Sequence, residues 1–429
     1  MSNIYLERYA LPETLIPAPP ADNTGLIIVI PSYKEAHLRD TLISLSACER
    51  PACNTEIIVV INEPAGCNSE IQTVNEASFQ QARECALDHN TESLRFHILY
   101  VKNIDKKHHG VGLARKIGMD EAVRRFEYQG NHQVGIIAGF DADSTCQNNY
   151  LVEIERHFKN NPECPGISVY FEHPVSNEIE DNIREGIIQY ELHLRYFSNA
   201  RKYAGFQHVH QTIGSCMAVR SDSYMKQGGM NKRKAGEDFY FLNKIIAFGN
   251  FMDLKTTTVY PSPRISDRVP FGTGKALSDW IKHKSESLLT YNPASFSDLK
   301  CLTGITNKLY EGDTDELLNK LPDSVGHFLR NNSFKNKLAE IRANTASRTT
   351  FLKRFYQYFD AFRVMKYLHF SRSQYHPDLP VTEAAEWLLK ERYGIEGELS
   401  NSFSLLCEYR EIDKYPDHTK SRLPLSQII

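Results

Sequence analysis

The 429-residue chain lacks several features that would assign it to a particular class of protein. It has no run of about eighteen apolar residues, so we do not expect a membrane-spanning helix. Its nine cysteines are scattered and include no CxxC pair, which predicts reduced thiols rather than a disulfide framework. The formal net charge of −3 gives no sign of a nucleic-acid-binding protein. The chain also has neither an internal repeat nor a low-complexity tract.

The amino-terminal stretch lacks the apolar core of a secretory signal. Residues 1–20 (MSNIYLERYALPETLIPAPP) carry early charges, and the prolines among residues 17–20 exclude a helix or a central strand at that point. We therefore expect residues 1–24 to be an extension of a cytoplasmic protein. Peripheral contact with the inner face of a membrane is left open by these features.

What the sequence does contain is a regular alternation of strand and helix patterns from residue 25 onward. Continuous apolar runs, typical of strands buried in a parallel sheet, are separated by stretches with helical spacing. The runs are GLIIVIP, TEIIVVIN, RFHILYV and VGIIAGF. This alternation predicts an α/β fold, with a Rossmann-like, mainly parallel sheet flanked by helices over residues 25–265. Helical patterns dominate over residues 266–429, so we predict a mostly helical C-terminal region.

Finer expectations concern individual elements. We predict a helix capped near Asn148 and one or two strands over residues 206–220. In the C-terminal region, TEAAEWLLKERYG predicts a helix that Thr382 caps and Gly394 stops.

The fourth apolar run ends in GFDADS, where Asp141 and Asp143 stand one residue apart. Open parallel sheets bind ligands at the carboxyl ends of their strands, so both carboxylates are expected at the binding edge. Oxygen ligands suit Mg²⁺ or Mn²⁺, which proteins hold with one or two carboxylates plus substrate phosphates. The alternative is that either aspartate merely caps the next turn.

A second acidic pair, Glu237 and Asp238 of the GED motif, stands farther along the chain at a predicted helix start. Acidic side chains interact favourably with the dipole at a helix N-terminus, so both could be ordinary first-turn residues. In the functional interpretation one of them is a general base, which must reach the proton of an attacking hydroxyl.

Two further segments, PSYKE (residues 31–35) and GVGLARKIG (residues 110–118), carry weaker signals. A glycine-bearing turn that leads into a helix can approach a phosphate, and Arg115 and Lys116 lie one turn into this helix. The segment is not a GxGxxG fingerprint, because Arg115 occupies the place of the third glycine.

Taken in order, these motifs resemble the family 2 glycosyltransferases, which have the A-type nucleotide-sugar fold. The resemblance rests on PSYKE, GLARK, DAD, GSCMAVR and GED, and it covers about residues 25–262. It implies a catalytic domain over residues 25–265, a nucleoside-diphosphate-sugar donor and a hydroxyl acceptor that attacks with inversion. It also implies Mn²⁺ or Mg²⁺ bridging the diphosphate. The QxxRW motif of processive synthases is missing, so transfer of a single sugar is implied.

The resemblance also assigns roles to individual residues. Asp238 is implied as the catalytic base, with Glu237 beside it. Asp143 is implied as the direct metal ligand ahead of Asp141, which lies nearer the ribose and the sugar. The residues implied to contact the nucleotide sugar are Pro31, Tyr33, Glu35, Asn62, Arg115, Asp141, Gly214 and Ser215.

Two sites depart from the family pattern. Asn62 and Glu63 replace an aspartate pair after the second strand, although Asn62 can still bond a base edge. Lys116 replaces an asparagine. The nucleobase, the sugar, the acceptor and the oligomeric state are therefore left open.

Two other classes of function remain compatible with these residues. A sugar nucleotidyltransferase could use a similar sheet and carboxylate pair, but the chain lacks the G-G-x-G-T-R-type loop of that class. A non-catalytic nucleotide-sugar-binding module would result from lost activity, yet Asp141, Asp143 and Asp238 are all in place.

Two loops are candidates for closing over a bound donor and excluding water. They span residues 102–110 and 261–274, and the second brings Arg264, Arg268 and Lys275 within reach of a diphosphate. The alternative for both is an ordinary solvated connection.

Two patterns have both a functional and a structural interpretation. His208 and His210 would lie on one face of a predicted strand, as metal ligands or as hydrogen-bonded structural residues. Over residues 350–370, phenylalanines recur at helical spacing among basic residues, which indicates either a membrane-surface helix or a helix buried against its own protein.

Overall fold

The computed structural model describes residues 3–176, 178–266, 272–283, 287–395 and 401–415. The chain divides into two compact units. The first comprises Met1–Pro174 and His210–Lys275, and the second comprises Val175–Val209 and Ala276–Ile429. The second unit thus includes residues 175–209, which the sequence predicted to belong to the domain of residues 25–265 together with the sheet.

The described ranges contain ten strands and seventeen α-helices. The strands are β1 (Thr24–Ser32), β2 (Asn54–Pro64), β3 (Leu94–Ile104), β4 (Ile136–Gly139), β5 (Thr145–Cys146), β6 (Gly166–Phe171), β7 (Met217–Arg220), β8 (Met252–Tyr260), β9 (Leu289–Thr290) and β10 (Leu379–Pro380). The helices are α1 (Ile4–Arg8), α2 (Leu38–Ser46), α3 (Ser69–His89), α4 (Val111–Tyr128), α5 (Tyr150–Asn160), α6 (Asp181–Tyr203), α7 (Ser221–Lys226), α8 (Glu237–Ile246), α9 (Thr273–His283), α10 (Pro293–Ile305), α11 (Thr314–Leu318), α12 (Asp323–Asn331), α13 (Phe334–Ala343), α14 (Arg348–Tyr358), α15 (Ala361–Gln374), α16 (Val381–Tyr393) and α17 (Ser402–Lys414).

The sheet of the first unit has the predicted, mainly parallel architecture. Its eight described strands follow the order β3-β2-β1-β4-β7-β6-β8-β5. Strands β1 to β4 are parallel, and β7 is antiparallel to both of its neighbours, β4 and β6. The apolar runs form β1 and β2, which are buried almost throughout because helices cover both faces of such a sheet. Since β1 and β4 are adjacent, with Val29 opposite Gly139, the segments PSYKE and DADS leave the sheet side by side.

The segment before β1 belongs to the first unit and contains helix α1, which the sequence analysis did not predict. Helix α1 forms upstream of the prolines. The segment is fixed by carboxylates of the sheet and of α4: the Tyr5 hydroxyl donates to Asp120 (2.6 Å), and the backbone N–H of Leu11 donates to the other oxygen of Asp120 (2.9 Å). The N–H of Ala21 donates to Glu56 of β2 (2.9 Å). Residues 3–24 are therefore part of the folded unit.

The predicted helix ends are confirmed in part. Helix α5 is capped near Asn148 as predicted, with Asn149 as its N-cap. Helix α16 has Pro380 as its N-cap, so Thr382 lies within its first turn instead of capping it. Gly394 ends this helix as predicted, in the left-handed conformation with φ of 63°.

The predicted strand over residues 206–220 is shorter than expected. Only β7, the last four residues of that stretch, is a strand. His208 has a φ of 59°, which interrupts extended backbone, so His208 and His210 do not share a strand face.

The second unit has a core formed by helices. The phenylalanine stripe of residues 350–370 is part of it, because Phe351, Phe355 and Phe359 are almost fully buried in this core. The stretch is two helices, because α14 ends before Phe359 and α15 begins after Asp360. The membrane-surface interpretation of this stripe is therefore wrong, and the buried-helix interpretation holds. Within the described ranges, no helix combines the length and apolar character needed to cross a bilayer.

A buried ion pair ties β2 to α4 under the N-terminal segment. The Arg125 guanidinium donates to both oxygens of Glu56, with Nη2 at 2.8 Å from Oε1. His97 Nε2 lies 3.6 Å from the same carboxylate. Burial by itself would raise the pKa of Glu56, but hydrogen bonds from His97, Arg125 and Ala21 overcome it and lower the pKa to about 2.

Replacement of Glu56 tests this anchor. We expect Glu56→Gln to reduce the free energy of unfolding by about 3 kcal/mol near neutral pH, because it leaves the buried guanidinium of Arg125 without a counter-charge. The folded-state pKa of Glu56, about 2, lies below the ordinary 4.5. Its contribution is therefore complete above that ordinary value and disappears as the pH falls from there towards the folded-state pKa.

Urea unfolding of both proteins near neutral pH and in mild acid measures this difference. Glu13→Gln, at an exposed position of the same segment, is the matched control and should be neutral. Equal stability of the wild type and Glu56→Gln near neutral pH would contradict the assignment.

Candidate functional site

Arg115, one turn into α4, brings the two acidic motifs together. Its Nη2 donates to Asp141 Oδ1, and its Nη1 donates to Glu237 Oε1. The Arg115 side chain is only 3% exposed, so these carboxylates replace the water that would otherwise solvate it. Burial works to lower the pKa of Arg115, but the carboxylates of Asp141, Glu237 and Asp238 raise it above its usual value. The guanidinium is therefore charged, and it joins the turn after β4 to the start of α8.

Asp238 occupies a different environment from its neighbour Glu237. Its Oδ2 accepts a hydrogen bond from the backbone N–H of Gly214 (3.0 Å), and its Oδ1 accepts one from the N–H of Phe239 (2.7 Å). Asp238 is partly exposed, whereas the Glu237 side chain is 2% exposed. Asp238 is therefore the member of the pair that is fixed in orientation and accessible from outside.

Both carboxyl groups bind protons more tightly than usual. Burial raises the pKa of Glu237 to about 7, against the opposing effect of Arg115, and the nearby Asp238 and Asp141 add to the rise. Removal from water also raises the pKa of Asp238. Carboxyl groups with raised pKa values in a cleft are typical of acid–base catalysis near neutral pH.

Glycines explain how the GSC and GED motifs reach this cluster. A Cβ atom on Gly214 would overlap the guanidinium of Arg115, so only glycine allows the backbone N–H to lie beside Asp238. Gly236, the N-cap of α8, has a φ of 69°, which turns the chain so that Glu237 and Asp238 start the helix inside the cluster.

The glycines of GVGLARK allow close packing at the start of α4. The N–H of Gly112 donates to the carbonyl of Arg233 (3.1 Å), and a Cβ on Gly110 would lie 2.6 Å from the Cα of Lys234. They therefore accommodate the chain that leads into α8. Lys116 is also outside the cluster: its Nζ lies 3.0 Å from Asp120 Oδ2 and faces the N-terminal segment.

A second arginine, Arg264, joins Glu35 to the DAD motif. Its Nε donates to Asp143 Oδ2 (2.9 Å), its Nη1 donates to Glu35 Oε1 (2.8 Å), and its Nη2 contacts both carboxylates. The side chain of Glu35 is 1% exposed and also accepts from the N–H of His37 (2.9 Å). Burial opposes the charge of Arg264, but Asp143 and Glu35 raise its pKa. A buried carboxylate after β1 is thus paired with a cation from the segment after β8.

The two aspartates of DAD therefore bind arginines through their side chains. The turn itself is closed by the backbone, with the N–H of Ser144 donating to the carbonyl of Asp141 (3.1 Å), and the next described helix begins only at Tyr150. This is not the arrangement of a helix cap. Arg268, the other arginine predicted to reach a diphosphate, lies outside the described residues, as do residues 267–271 of its loop.

Tyr33 and Asn62, two of the residues predicted to contact the nucleotide sugar, both contact the loop of residues 102–110. The rings of Tyr33 and His109 meet edge to face with centroids 4.5 Å apart, and Asn62 Nδ2 donates to the carbonyl of Gly110 (3.4 Å). His109 Nε2 is buried and has no hydrogen-bond partner among the described residues. Burial lowers the pKa of His109, which favours a neutral ring. Sequence reasoning identified only the loop that contains His109, because nothing distinguishes it from its neighbour His108.

Two residues that were predicted to contact the nucleotide sugar are buried in the first unit. Pro31 is a buried residue of β1, opposite Val60 of β2. Ser215 is fully buried, and its Oγ lies 3.5 Å from the sulfur of Cys216. Both side chains are therefore shielded from solvent in this structure.

His210 has a structural environment. Its Nδ1 lies 2.8 Å from Asp253 Oδ1, and its ring packs against Phe251 with centroids 4.8 Å apart. This arrangement matches the hydrogen-bonded structural interpretation.

The carboxylates suit a cation only in part. Within the described ranges, no group of three or more His, Cys, Asp or Glu residues is arranged to hold a metal ion. The described cluster nevertheless has more carboxylates than guanidinium groups, and oxygen donors suit Mg²⁺ and Mn²⁺. Asp141 and Asp143 therefore offer oxygen donors of the kind that Mg²⁺ and Mn²⁺ bind, and each is paired with an arginine in this structure.

Comparisons with known proteins give a likeness of fold. No protein-family model matches the chain, and no curated protein matches it. Similar solved structures include S. aureus TarS (13% identity, TM-score 0.38, 82% of this chain and 55% of that chain). They also include S. aureus TarS 1-349 in complex with UDP, at 12% identity and a TM-score of 0.39, with 87% of this chain and 92% of that chain covered. For TarS 1-349 in complex with UDP-GlcNAc the identity is 12% and the TM-score 0.37, with 92% of each chain covered. The chain therefore spans about half of the full TarS chain, and the likeness is distant.

Removal of the Arg115 side chain tests whether this residue holds the cluster together. We expect Arg115→Met to reduce the free energy of unfolding by about 3 kcal/mol or more, because Glu237, Asp238 and Asp141 are then left to repel one another. Adding Glu237→Gln should restore part of the loss, since it removes one of the unpaired charges.

Urea unfolding of the wild type, both single variants and the double variant gives the coupling between the two residues. Arg39→Met, at an exposed site on α2, is the control and should change stability by less than about 0.5 kcal/mol. Strictly additive losses would show that Arg115 and Glu237 act independently.

Proposed function

We propose that this chain is a glycosyltransferase of the family 2 type, which moves one sugar from a nucleoside-diphosphate donor to a hydroxyl acceptor. The observation that carries the proposal is the convergence of DAD and GED on Arg115. The transfer needs positive charge beside the leaving diphosphate and a base beside the attacking hydroxyl. Arg115 and Asp238 supply these two groups within one cluster.

The donor would bind along the carboxyl edge of β1 and β4. Tyr33, Asn62 and the neutral ring of His109 would receive the nucleoside, and the buried, unpartnered Nε2 of His109 offers a hydrogen-bonding atom to it. The diphosphate would then lie towards Arg115 and Arg264. Guanidinium groups suit this role because they bind phosphate oxygens in pairs.

A divalent cation, Mn²⁺ or Mg²⁺, would be held by Asp143 and Asp141 together with the diphosphate. When bound, it would act as a Lewis acid that stabilises negative charge on the leaving group. Because Asp143 is already paired with Arg264, we expect the cation and the diphosphate to bind together rather than one after the other.

Asp238 is the proposed base. The N–H groups of Gly214 and Phe239 fix its carboxylate, and its raised pKa makes it a stronger base than an ordinary aspartate. It would take the proton of the acceptor hydroxyl as that oxygen attacks the anomeric carbon from the face opposite the diphosphate, which inverts that carbon. Glu237, buried behind it, would hold Arg115 in place.

Asp238→Asn tests the base directly. We expect the variant to lose activity by about 10²-fold or more, because the amide cannot accept the acceptor proton. Donor binding should change by less than about threefold, since the shape of the side chain is retained. In the wild type the rate should rise with pH through an apparent pKa above the ordinary value for aspartate, because the base must be deprotonated.

Release of the nucleoside diphosphate from UDP-, GDP- and dTDP-sugars measures turnover while the acceptor is unknown, and calorimetry measures donor binding. Asp88→Asn, at an exposed site on α3, serves as the control. Equal loss of turnover and binding in Asp238→Asn would remove Asp238 from the role of base.

Asp143→Ala tests the cation. We expect it to weaken manganese-dependent nucleotide binding at least about tenfold, because a direct oxygen ligand is lost. Calorimetry with UDP, GDP, dTDP and CDP, each with and without Mn²⁺, measures this effect, and Asp88→Ala is the matched control. An unchanged dependence on manganese would overturn the role of Asp143.

A further inference from the structure

Helices α13, α14 and α15 of the second unit enclose a cleft of about 430 Å³ that has no part in the proposed transfer. Its lining carries an excess of positive charge. The basic side chains are Lys337, Arg354, Arg363 and Lys366. Three of them belong to residues 350–370, the segment whose phenylalanines form part of the core.

The fold brings these cations together because the segment breaks in the middle. The burial of its phenylalanines leaves Arg354 on the exposed face of α14 and Lys366 on the exposed face of α15. Asp360 caps α15 by accepting from the N–H of Arg363 (3.0 Å), so the chain turns there. Both basic faces therefore line the same cleft, which one continuous helix would not allow.

The cleft contains acidic groups as well, and these are already engaged. Glu340 Oε1 lies 2.6 Å from Lys337 Nζ, and the carboxylate of Asp360 accepts from the start of α15. In contrast, Arg354 and Lys366 make no hydrogen bond or ion pair with any residue in the described ranges. Neither side chain is paired directly with a described carboxylate, although Asp360 is close enough to Lys366 to interact with it electrostatically.

The side chain of Arg363 is ordered by its contacts with Tyr358. Its Nε donates to the carbonyl of Tyr358 (2.9 Å), its Nη1 donates to the Tyr358 hydroxyl (3.0 Å), and its guanidinium lies 3.8 Å from the centre of that ring. A side chain that is already ordered loses little further entropy on binding. Its remaining N–H groups can bind an anion together with Arg354 and Lys366.

We propose that this cleft binds a phosphate group carried on a hydroxylated body, such as a sugar phosphate. The arginines and lysines would bind the phosphate oxygens. Gln357 and Glu340, which also line the cleft, would accept hydrogen bonds from hydroxyl groups. The volume falls within the range of sites for small organic ligands and exceeds what a bare phosphate ion would fill.

The same chemistry can come from a soluble sugar phosphate or from a phosphorylated lipid headgroup. Calorimetry of the full chain with glucose 6-phosphate, inorganic phosphate and glucose tests the soluble source. Co-sedimentation with phosphatidylcholine vesicles, with and without phosphatidylinositol 4-phosphate, tests the lipid source. Each measurement is made on the wild type, Arg354→Gln, Lys366→Gln and the control Lys353→Gln, an exposed neighbour on α14 that does not line the cleft.

We expect glucose 6-phosphate or the phosphoinositide vesicles to bind the wild type, and glucose not to bind. Arg354→Gln and Lys366→Gln should each weaken that binding at least about tenfold, because each removes a charge-assisted hydrogen bond. Lys353→Gln should bind as the wild type does, and Arg354→Lys should retain most of the binding. The phosphate-bearing probe that binds identifies the source.

Absence of binding by every phosphate-bearing probe would overturn the proposal. Equal weakening in Lys353→Gln would also overturn it, because it would show general attraction to a basic surface. The two substituted side chains are exposed, so circular dichroism should show unchanged folding. None of these variants touches the cluster around Arg115, and failure here would leave the proposed transfer unaffected.

Discussion

The buried guanidinium of Arg115 is the group on which the first unit's site depends. It is the counter-charge for Asp141 and Glu237, which come from different elements and which could not both be ionised in that place without it. Position 214 accepts only glycine, because a Cβ atom there would overlap the Arg115 side chain. The N–H of Gly214 in turn orients Asp238. One ion-pair network thus sets the positions of DAD, GSC and GED relative to one another.

Arg264 adds a second network of similar design. It compensates the buried Glu35 and at the same time engages Asp143, so the strand ends of β1 and β4 are joined through a residue that follows β8. Both networks leave carboxylates in excess of cations. A site of this charge accepts an anionic diphosphate only when further positive charge accompanies it, which is why the proposed donor and cation are coupled.

The sequence was informative wherever a pattern is set by local physics. Continuous apolar runs predicted β1 to β4 because both faces of a parallel sheet are covered, and the adjacency of β1 and β4 then placed PSYKE beside DADS. Prediction failed where a distant contact decides the outcome. The extended pattern around His208 is interrupted by a left-handed residue, and the close packing of the GVGLARK glycines against residues 231–234 left no signal in the sequence. The pairing of Arg264 with Glu35 spans most of the first unit's sequence and leaves no local signal.

Helix α4 has opposite surroundings on its two sides: Arg115 faces the site, while Asp120 and Arg125 face the segment before β1. Residues 3–24 supply backbone donors and acceptors to those charged groups. These hydrogen bonds replace the ones that water would make on that side of α4. Shortening the chain to the start of β1 would therefore do more than trim a tail. It would admit water to buried charges on the helix that holds Arg115, and it would weaken the site although the hydrogen bonds described for Arg115 and Asp238 involve none of residues 3–23.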